Sequence, residues 1–432
     1  MNFCPAGNSA PRHPLADEWA KFPTPFHVLH LDRAQEDATE LKKGLNSGLP
    51  GIELFYSVKT NPLKPLLRSL VADGWGMEVV GPENLRSAIE AGCPSENLLY
   101  NGAAWTKEEL ADSIFSRGIR NFTVDSPSMA ALLNAAWNSK AGAPRLRVAL
   151  RLHDGESHFG VFPARENLDA AFRALPPEMT EELGFHIHRN PQGSANTLDE
   201  LEADFSLRCN IVSSALRALA GTPIAARISF FDFGGGIDSP YVYRPDSRDI
   251  GSFHNPESAP ELRARHSSVR FSSFDAGRVV SQTIRRDMGA ALTNRRVLLE
   301  PGRAVCTRAL STVISVKACK PDLYPNAKIV FTDGSTAFLG PLHRGIHPLF
   351  PSGDFPTYVY GCLPHSGDWL FQNVKLPPLK EGDRLLIEHT GAYFLALEAH
   401  FGHELPAIID AVKARATSTR GTDTTDTFAG FC

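Results

Sequence analysis

Eight short apolar segments, each separated from the next by a stretch with helical spacing, constrain the fold of this chain most strongly. Strands that alternate with helices form parallel sheets, because a helical crossover returns the chain to the same edge. Eight such units in about 250 residues have the size and rhythm of a (β/α)₈ barrel. The sequence therefore predicts an α/β fold of this type. The predicted strands cover residues 53–59, 76–80, 98–102, 121–125, 145–152, 183–188, 228–233 and 295–300.

The stretches between these segments carry the periodicity of amphipathic helices. The clearest one covers residues 197–220, where apolar residues recur at three- and four-residue spacing. Thr197 and Glu200 form the pattern of a capping box, which predicts that the helix begins there. A later helix is predicted from apolar residues that share one face, namely Val280, Ile284 and Met288.

The rhythm changes after residue 303, where strand-like segments are joined by turns rich in proline and glycine. This pattern predicts a C-terminal antiparallel β-domain, and a chain of 432 residues is expected to form more than one core. Residues 239–275 are predicted to be a polar surface insert. The predicted parts are an N-terminal segment that adds its strand to the β-domain (1–45), the barrel (46–304), the β-domain (305–415) and a flexible tail (416–432).

Composition narrows the class of function. The formal net charge of −4 gives no reason to expect nucleic acid or an anionic membrane as a partner, and no apolar run is long enough to span a bilayer. Residues 1–25 lack the apolar core of a signal peptide. The seven cysteines are scattered without a CxxC or Cys/His cluster, which predicts reduced thiols in the cytoplasm and no metal site.

Polar residues stand at the carboxyl ends of the predicted strands, where a (β/α)₈ barrel carries its chemistry. The first strand runs directly into Lys59. A lysine there is most often solvated, and the alternative is an amine held in a cleft, ready to form a Schiff base. The convergence of many polar residues on one rim favours the second interpretation. They are Glu78, Asn101, Asp125, Arg151, His186, His188, Gly234, Gly235, Gly236, Glu300 and Arg303.

The glycine triplet, Gly234, Gly235 and Gly236, offers backbone N–H groups without a Cβ, as a phosphate requires, although such triplets are also common in plain turns. Arg303 would add a charged fork for the same phosphate. A phosphate beside the Lys59 amine, with an imidazole and a carboxylate nearby, is the set that pyridoxal 5′-phosphate requires. We therefore expect this cofactor.

Six motifs, in order, resemble those of the fold-type III pyridoxal-phosphate decarboxylases, which include the ornithine, diaminopimelate and biosynthetic arginine decarboxylases. The resemblance spans roughly residues 24–410. It implies the alanine racemase and ornithine decarboxylase architecture of barrel plus β-domain, and decarboxylation of an amino acid or an amino-acid-derived substrate at Cα. The motifs are YSVKTN (56–61), FHIH (185–188), FDFGGG (231–236), EPGR (300–303), GCLPHSGD (361–368) and GAYF (391–394).

The resemblance also implies roles for single residues. Lys59 would carry the cofactor as a Schiff base, His186 would stack on its ring, and Glu300 would pair with the pyridine nitrogen. The family's active sites lie at the interface of a head-to-tail homodimer, so the segment 361–368 would reach the partner's cofactor or lie close to it. The phosphate would be held by Gly234, Gly235, Gly236, Arg303 and Tyr393.

Two motifs depart from the family pattern. Pro364 stands where the family has the cysteine that helps to return a proton to the substrate carbon. Three interpretations are open: Cys362 serves instead, His365 takes the role, or Cys362 is only a small buried residue. In the other motif, His188 and Arg189 replace the usual Gly-Ser, and Arg189 could bind phosphate, bind a substrate carboxylate or face solvent.

The substrate is an amino-acid-type small molecule that the motifs do not name. Segment 338–344 has no clear counterpart of the arginine that binds the distal carboxylate in diaminopimelate decarboxylases, which argues against diaminopimelate. A basic amino acid, or an amino-acid unit inside a specialised metabolite, stays open. The candidate contacts to the substrate are Asp333, Asp368, His343, His365 and Arg189. Most of these residue types, when they stand in turns, are more often solvated or cap a helix or turn.

Two alternatives to the decarboxylase remain. One is an amino-acid racemase of the same fold type, against which the EPGR motif argues, because racemases resemble a pattern with arginine facing the pyridine nitrogen. The other is an inactive homologue that acts as a regulatory binding protein. The retention of Lys59, Glu300 and Arg303 argues against this second alternative.

Overall fold

The computed structural model describes residues 19–189, 197–239, 271–324, 327–339, 346–348, 355–365 and 367–411. These residues form two compact units. The barrel unit comprises residues 34–239 and 271–306, and the β-unit comprises residues 19–33 and 307–411. Strand β1 (Phe26–Leu29) belongs to the β-unit, and helix α1 (Leu31–Gly48) leads from it into the barrel unit. Among these residues, no helix has the length and apolar character needed to cross a membrane.

Eight parallel strands close the barrel in the order of the chain, and the last strand pairs with the first. Each corresponds to one of the eight predicted strands, so the predicted (β/α)₈ barrel is confirmed. The strands are β2 (Glu53–Ser57), β3 (Gly76–Val79), β4 (Leu98–Asn101), β5 (Asn121–Val124), β6 (Leu146–Arg151), β7 (Thr180–His186), β8 (Ile228–Asp232) and β9 (Arg296–Leu299).

Two strands end two residues earlier than the sequence predicts, and the other barrel strands end one residue earlier. Strand β2 ends at Ser57, and Lys59 lies in a 3₁₀ turn, Val58–Thr60, rather than in the strand. Strand β7 ends at His186. In both cases the next residue, Val58 or Ile187, is apolar and fully buried. An apolar residue in a buried turn looks like a continuing strand in the sequence, which explains the error.

Helices cover the barrel between its strands. At the start of the helix that begins at Leu198, Thr197 Oγ1 accepts the Glu200 N–H at 3.1 Å, and the Glu200 side chain accepts the Thr197 N–H at 3.1 Å. The predicted capping box is therefore confirmed. The predicted insert 239–275 falls mostly on residues 240–270, which lie outside the described residues. The helices are α2 (Lys64–Ala72), α3 (Pro82–Glu90), α4 (Lys107–Phe115), α5 (Pro127–Trp137), α6 (Arg165–Arg173), α7 (Leu198–Ala218), α8 (Ser273–Met288) and the short α9 (Arg303–Cys306).

Apolar side chains from five strands fill the barrel as a packed core. Two of them, Phe55 and Phe230, are large rings that need space on neighbouring strands. A Cβ at Gly184 would lie 2.5 Å from the Phe230 ring, and one at Gly76 would lie 2.5 Å from the Phe55 ring. Glycine at these two positions therefore allows the aromatic rings to fill the interior.

The β-unit is built on one sheet of eight strands. Its strands after β1 are β10 (Leu310–Tyr324), β11 (Ala327–Thr332), β12 (Ile346–Pro348), β13 (Phe355–Tyr360), β14 (Trp369–Leu376), β15 (Arg384–Ile387) and β16 (Ala407–Asp410). The strand order is β12-β15-β10-β11-β13-β14, and β1 joins the sheet by pairing with β10 and with β16. Antiparallel pairs predominate, as predicted, while β1–β16 and β11–β13 are parallel.

Two short helices, α10 (Thr336–Leu339) and α11 (Phe394–Leu397), lie between these strands in the chain. The predicted tail 416–432 lies outside the described residues, as do residues 340–344 of the segment expected to contact the substrate.

Candidate active site

Lys59 is held by a carboxylate on the neighbouring strand. Its Nζ lies 2.9 Å and 3.0 Å from the two carboxylate oxygens of Glu78, and the Ser57 hydroxyl donates to the same carboxylate at 2.6 Å. The Glu78 side chain is fully buried, whereas 40% of the Lys59 side chain is exposed. The amine is therefore accessible and fixed in position by an ion pair.

This amine lines a cavity of about 1080 Å³ in the barrel unit. Charged and polar residues that follow the barrel strands form much of its wall, as expected for the catalytic end of such a barrel. The residues that matter here are Lys59, Asn101, Asp125, Arg151, His188 and Glu300. The structure thus brings together much of the predicted polar rim.

Glu300 is a buried carboxylate that stays ionised. Its Oε2 lies 3.5 Å from Nε2 of His186, and the Asn101 amide donates to Oε1 at 3.4 Å. Burial alone would raise the pKa of Glu300, but His186, Lys59 and Arg151 together outweigh it and hold that pKa below its ordinary value. The cavity therefore has a fixed negative charge on its wall.

Asp232, at the end of β8, forms a second carboxyl group beside Glu300. Atoms of His186, Asp232 and Glu300 that could ligate a metal lie within 4.8 Å of one another. Burial and the negative charge of Glu300 raise the pKa of Asp232 well above its usual range, although it accepts the Gly234 N–H at 2.8 Å. Asp232 is therefore a neutral acid, and one proton shared between the two groups explains their closeness without a metal ion.

His186 is completely buried, and burial lowers its pKa, although Glu300 opposes this effect. The imidazole is therefore neutral at pH 7. Within the described residues, Nδ1 has no hydrogen-bond partner, and Nε2 lies 3.5 Å from the Glu300 carboxylate. A buried polar group without a partner is costly, so this side chain marks a place where a further group is expected.

The glycine triplet follows β8 in a conformation that needs glycine. Gly234 and Gly236 have φ of 65° and 82°, and a Cβ at Gly235 would lie 2.5 Å from the Glu300 carbonyl oxygen. The Gly234 N–H donates to Asp232, and the Gly235 N–H donates to Nδ1 of His188 at 3.1 Å. Two of the three triplet amides therefore have side-chain partners in this structure.

The two arginines predicted near the cofactor are both engaged with acids. Arg303 Nε lies 2.7 Å from Asp238 Oδ1, and both side chains are buried. Arg189 is also buried, which excludes the interpretation that it faces solvent. It pairs with Asp204 at 3.0 Å and Glu156 at 3.2 Å, so it lies in an ion-pair network.

Cys362, His365 and Tyr393 belong to the β-unit. Cys362 is half-buried, and burial followed by the charge of Asp368 raises the pKa of its thiol, so the group keeps its proton at neutral pH. His365 is exposed and accepts the Gly367 N–H at 3.0 Å. Tyr393 has φ of 69°, an unusual conformation for a residue with a Cβ that often marks a functional position.

Asp333 and Asp368, two predicted substrate contacts, support the local fold of the β-unit. Asp368 is buried and accepts N–H groups from Thr336 at 2.7 Å and Leu363 at 2.8 Å. Asp333 accepts the Ser315 N–H at 2.7 Å. These are the capping contacts that the sequence left open as an alternative, and His343 lies outside the described residues.

The residues present fit pyridoxal 5′-phosphate. An accessible amine and an anionic carboxylate line the same cavity, matching the aldehyde and the pyridine nitrogen of that molecule. A buried imidazole with an unsatisfied Nδ1 lies beside the carboxylate, and a glycine loop excludes any Cβ. This chemistry of amine, carboxylate, imidazole and glycine loop is the set that the cofactor requires.

Sequence reasoning missed the partners of the site residues. Glu78 was recognised on the rim but not as the group that holds Lys59, and its signal is an acid inside the apolar segment GMEVV. Asp232 could have been found as the acid two residues before the glycine triplet. Arg208, which contacts this triplet from helix α7, carries no signal in the sequence beyond a charge within an amphipathic helix.

Comparison with known proteins gives consistent matches along the chain. The family described as "pyridoxal-dependent decarboxylase, pyridoxal binding domain" matches residues 35–307. A diaminopimelate decarboxylase of Deinococcus radiodurans is 28% identical, with 91% of each chain covered. A lysine/ornithine decarboxylase of Selenomonas ruminantium is 24% identical, with 86% of each chain covered. These matches do not favour either a racemase or a regulatory protein.

Solved structures share the fold. The diaminopimelate decarboxylase of M. jannaschii in complex with L-lysine has a TM-score of 0.74 to this chain at 20% identity, with 91% of this chain and 88% of the other covered. The fold of the barrel and the fold of the β-domain are therefore both found in known structures, as the sequence predicted.

The neutral state of Asp232 predicts how stability depends on pH. The folded protein keeps a proton that the unfolded chain releases above about pH 4, so wild-type stability falls as the pH rises from there. Asp232→Asn has no such loss. We expect the cofactor-free variant to gain on wild type between pH 5 and 8 by up to about 1.4 kcal/mol per pH unit, measured by urea unfolding.

The control is Asp232→Ala, which also lacks the titrating acid but removes the acceptor of the Gly234 N–H as well; it should be about 1–3 kcal/mol less stable than Asp232→Asn at pH 5 and 8 alike. If the difference between Asp232→Asn and wild type does not change from pH 5 to pH 8, Asp232 is anionic in the fold.

Proposed function

The chain belongs to the pyridoxal-dependent decarboxylase family, and we propose that Lys59 is the residue to which it anchors pyridoxal 5′-phosphate. The protein is an enzyme that decarboxylates an amino acid or amino-acid-derived substrate. One observation carries the proposal for Lys59: its amine lines the barrel cavity, where the buried Glu78 carboxylate holds it at 2.9 Å. The cofactor supplies an electron sink for the bond that breaks at Cα.

Glu78 prepares the Lys59 amine for this role. An amine must lose its proton before it can act as a nucleophile, and the carboxylate at 2.9 Å and 3.0 Å is the nearest described base. The Ser57 hydroxyl donates to Glu78 and fixes the orientation of its carboxylate. We propose that Glu78 holds the Lys59 amine in a fixed position in the cavity.

Glu300 would keep a proton on the pyridine nitrogen of the cofactor. This task requires a carboxylate that is anionic although buried, and the lowered pKa of Glu300 supports it. Asp232, as a neutral acid, and Asn101, through its amide, stabilise that negative charge. The buried His186 imidazole beside Glu300, whose Nδ1 has no hydrogen-bond partner among the described residues, is the group proposed to stack on the ring.

We propose Cys362, in the β-unit, as the proton donor for the substrate carbon, a role that comes from the family resemblance. Cys362 keeps its proton because burial and Asp368 raise its pKa, which suits a thiol acting as an acid. This supports Cys362 over the exposed His365 in that role. The phosphate contacts of Gly236, Arg303 and Tyr393, and the head-to-tail homodimer with shared sites, are proposals that come from the family resemblance.

A basic amino acid is the proposed substrate. The relatives carry the names of diaminopimelate, lysine and ornithine decarboxylases, whose substrates all have a second amine. Asp125 and Glu156 line the cavity and could face such an ammonium group. A reducing, cytoplasmic setting is proposed as well, supported by the free thiols of Cys93, Cys209, Cys319 and Cys362.

A screen of carbon dioxide release tests the function directly. Purified protein supplied with pyridoxal 5′-phosphate is incubated with ornithine, lysine, arginine and diaminopimelate in their L, D and meso forms. We expect release from at least one diamino acid, because the cavity has carboxylates that match a second ammonium group. A protein that binds the cofactor and releases carbon dioxide from none of them, nor from conjugated amino acids, would instead fit a regulatory role.

Lys59→Arg separates the charge of the lysine from its chemistry. The guanidinium keeps the ion pair with Glu78 but cannot form a Schiff base. We expect the visible absorbance of the lysine-bound cofactor to disappear and carbon dioxide release to be lost. Lys43→Arg, at a side chain that is 62% exposed, is the matched control and should behave as wild type. Unchanged absorbance in Lys59→Arg would place the anchor elsewhere.

Glu300→Gln tests the electrostatic role of the buried carboxylate. Glutamine keeps the size and the hydrogen bond from Asn101 but has no charge to pair with a protonated pyridine nitrogen. We expect kcat to fall by about 10²–10³-fold while the lysine-bound cofactor still forms, as is typical when one preorganised group is removed. Full activity in Glu300→Gln would contradict the proposed pairing.

A further inference from the structure

Arg208 is a fully buried cation that holds the carbonyl groups of two loops. It lies on helix α7, and its exposed fraction is 0%. Its Nη1 donates to Phe233 O at 2.7 Å and also to Gly235 O, while Nη2 donates to Arg189 O at 3.2 Å. Burying a guanidinium is costly, and an apolar residue could fill the same space at a lower cost. The hydrogen bonds to these three carbonyl groups are therefore the contacts that only an arginine provides here.

The position of Arg208 is fixed on its other sides. Asp204, one turn earlier on the same helix, accepts from Nε at 2.9 Å and pairs with Nη2. The guanidinium also lies 4.2 Å from the centre of the Phe205 ring. Arg189 shares the Asp204 carboxylate at 3.0 Å. Arg208 thus has little freedom to move, and the carbonyls that it binds are held with it.

Because the peptide group is planar, fixing its carbonyl oxygen also fixes the direction of its N–H. In a trans peptide, the C=O and the following N–H point in opposite directions. Because Arg208 binds Gly235 O, the Gly236 N–H projects from the opposite face of that peptide. The preceding peptide is held separately, since Glu300 N–H donates to Gly234 O at 2.9 Å and Gly235 N–H donates to His188.

We propose that Arg208 is a positioning residue for the phosphate group of the cofactor. It fixes the Gly235–Gly236 peptide so that the Gly236 N–H faces the phosphate rather than turning inward. This inference rests on the proposed function of the site. It also explains why residue 236 is glycine, since a Cβ there would lie 2.5 Å from Arg208 Nη2. In this arrangement Arg189 acts by completing the ion-pair network around Asp204.

Two ligands that differ only in the phosphate test the proposal. Dissociation constants are measured for pyridoxal 5′-phosphate and for pyridoxal by absorbance titration of the cofactor-free protein. The variant is Asp204→Asn/Arg208→Met, which removes both charges and leaves no unpaired ion. We expect at least about tenfold weaker binding of pyridoxal 5′-phosphate, the effect typical of a lost charge-assisted contact, and about twofold or less for pyridoxal.

Arg217→Met is the matched control, because Arg217 is exposed on the same helix, and both of its affinities should equal those of wild type. If the double variant does not fold, Arg208→Lys replaces it. Lysine keeps the positive charge but lacks the several N–H donors of the guanidinium, so binding of pyridoxal 5′-phosphate should weaken while binding of pyridoxal does not. Equal losses for both ligands, or no loss in a folded variant, would overturn the proposal. Wild-type protein that binds neither ligand would instead overturn the proposed function itself.

Discussion

The buried negative charge of Glu300 is the constraint on which the rest of the site depends. A carboxylate with 3% of its side chain exposed loses most of its hydration, which favours the neutral form unless nearby groups compensate. Here the cations Lys59 and Arg151 and the nearby His186 ring supply the compensation, and the proton of the pair resides on Asp232. The site can therefore present a fixed negative charge to a ring nitrogen, because two of its neighbours are cations and Asp232 carries the proton.

Buried charges that compensate one another also lie next to the glycine triplet. Arg208 and Arg189 are buried cations, and Asp204 lies between them with one oxygen on each. An ion pair of this kind adds little net stability, since desolvation offsets much of the attraction, but it defines a geometry. Here it fixes the path of the glycine-triplet loop, whose backbone N–H groups, rather than side chains, are the proposed contacts to the phosphate. Glu300 thus determines the proposed site for the pyridine nitrogen, and Arg208 determines the proposed site for the phosphate.

Much of this could be predicted from the sequence, for local reasons. Each barrel strand is an apolar run bounded by turn residues, and the capping box at Thr197 is a contact between residues three apart. Lys59 and Glu300 were found because strand ends of a (β/α)₈ barrel meet at one rim. Glu78, Asp232 and Arg208 were not assigned, because their roles depend on which side chain the adjacent element brings next to them.

The sequence by itself determined the barrel, the β-domain, the lysine and the carboxylate, since the spacing of apolar residues and the order of motifs along the chain are sufficient for these. Only the tertiary structure decided the charge states and the partners: that Lys59 rests against Glu78, that Asp232 carries a proton, and that Arg189 turns into an ion-pair network. The physical reason is that burial and distance control the energy of a charge, and both are set by residues far apart in the chain.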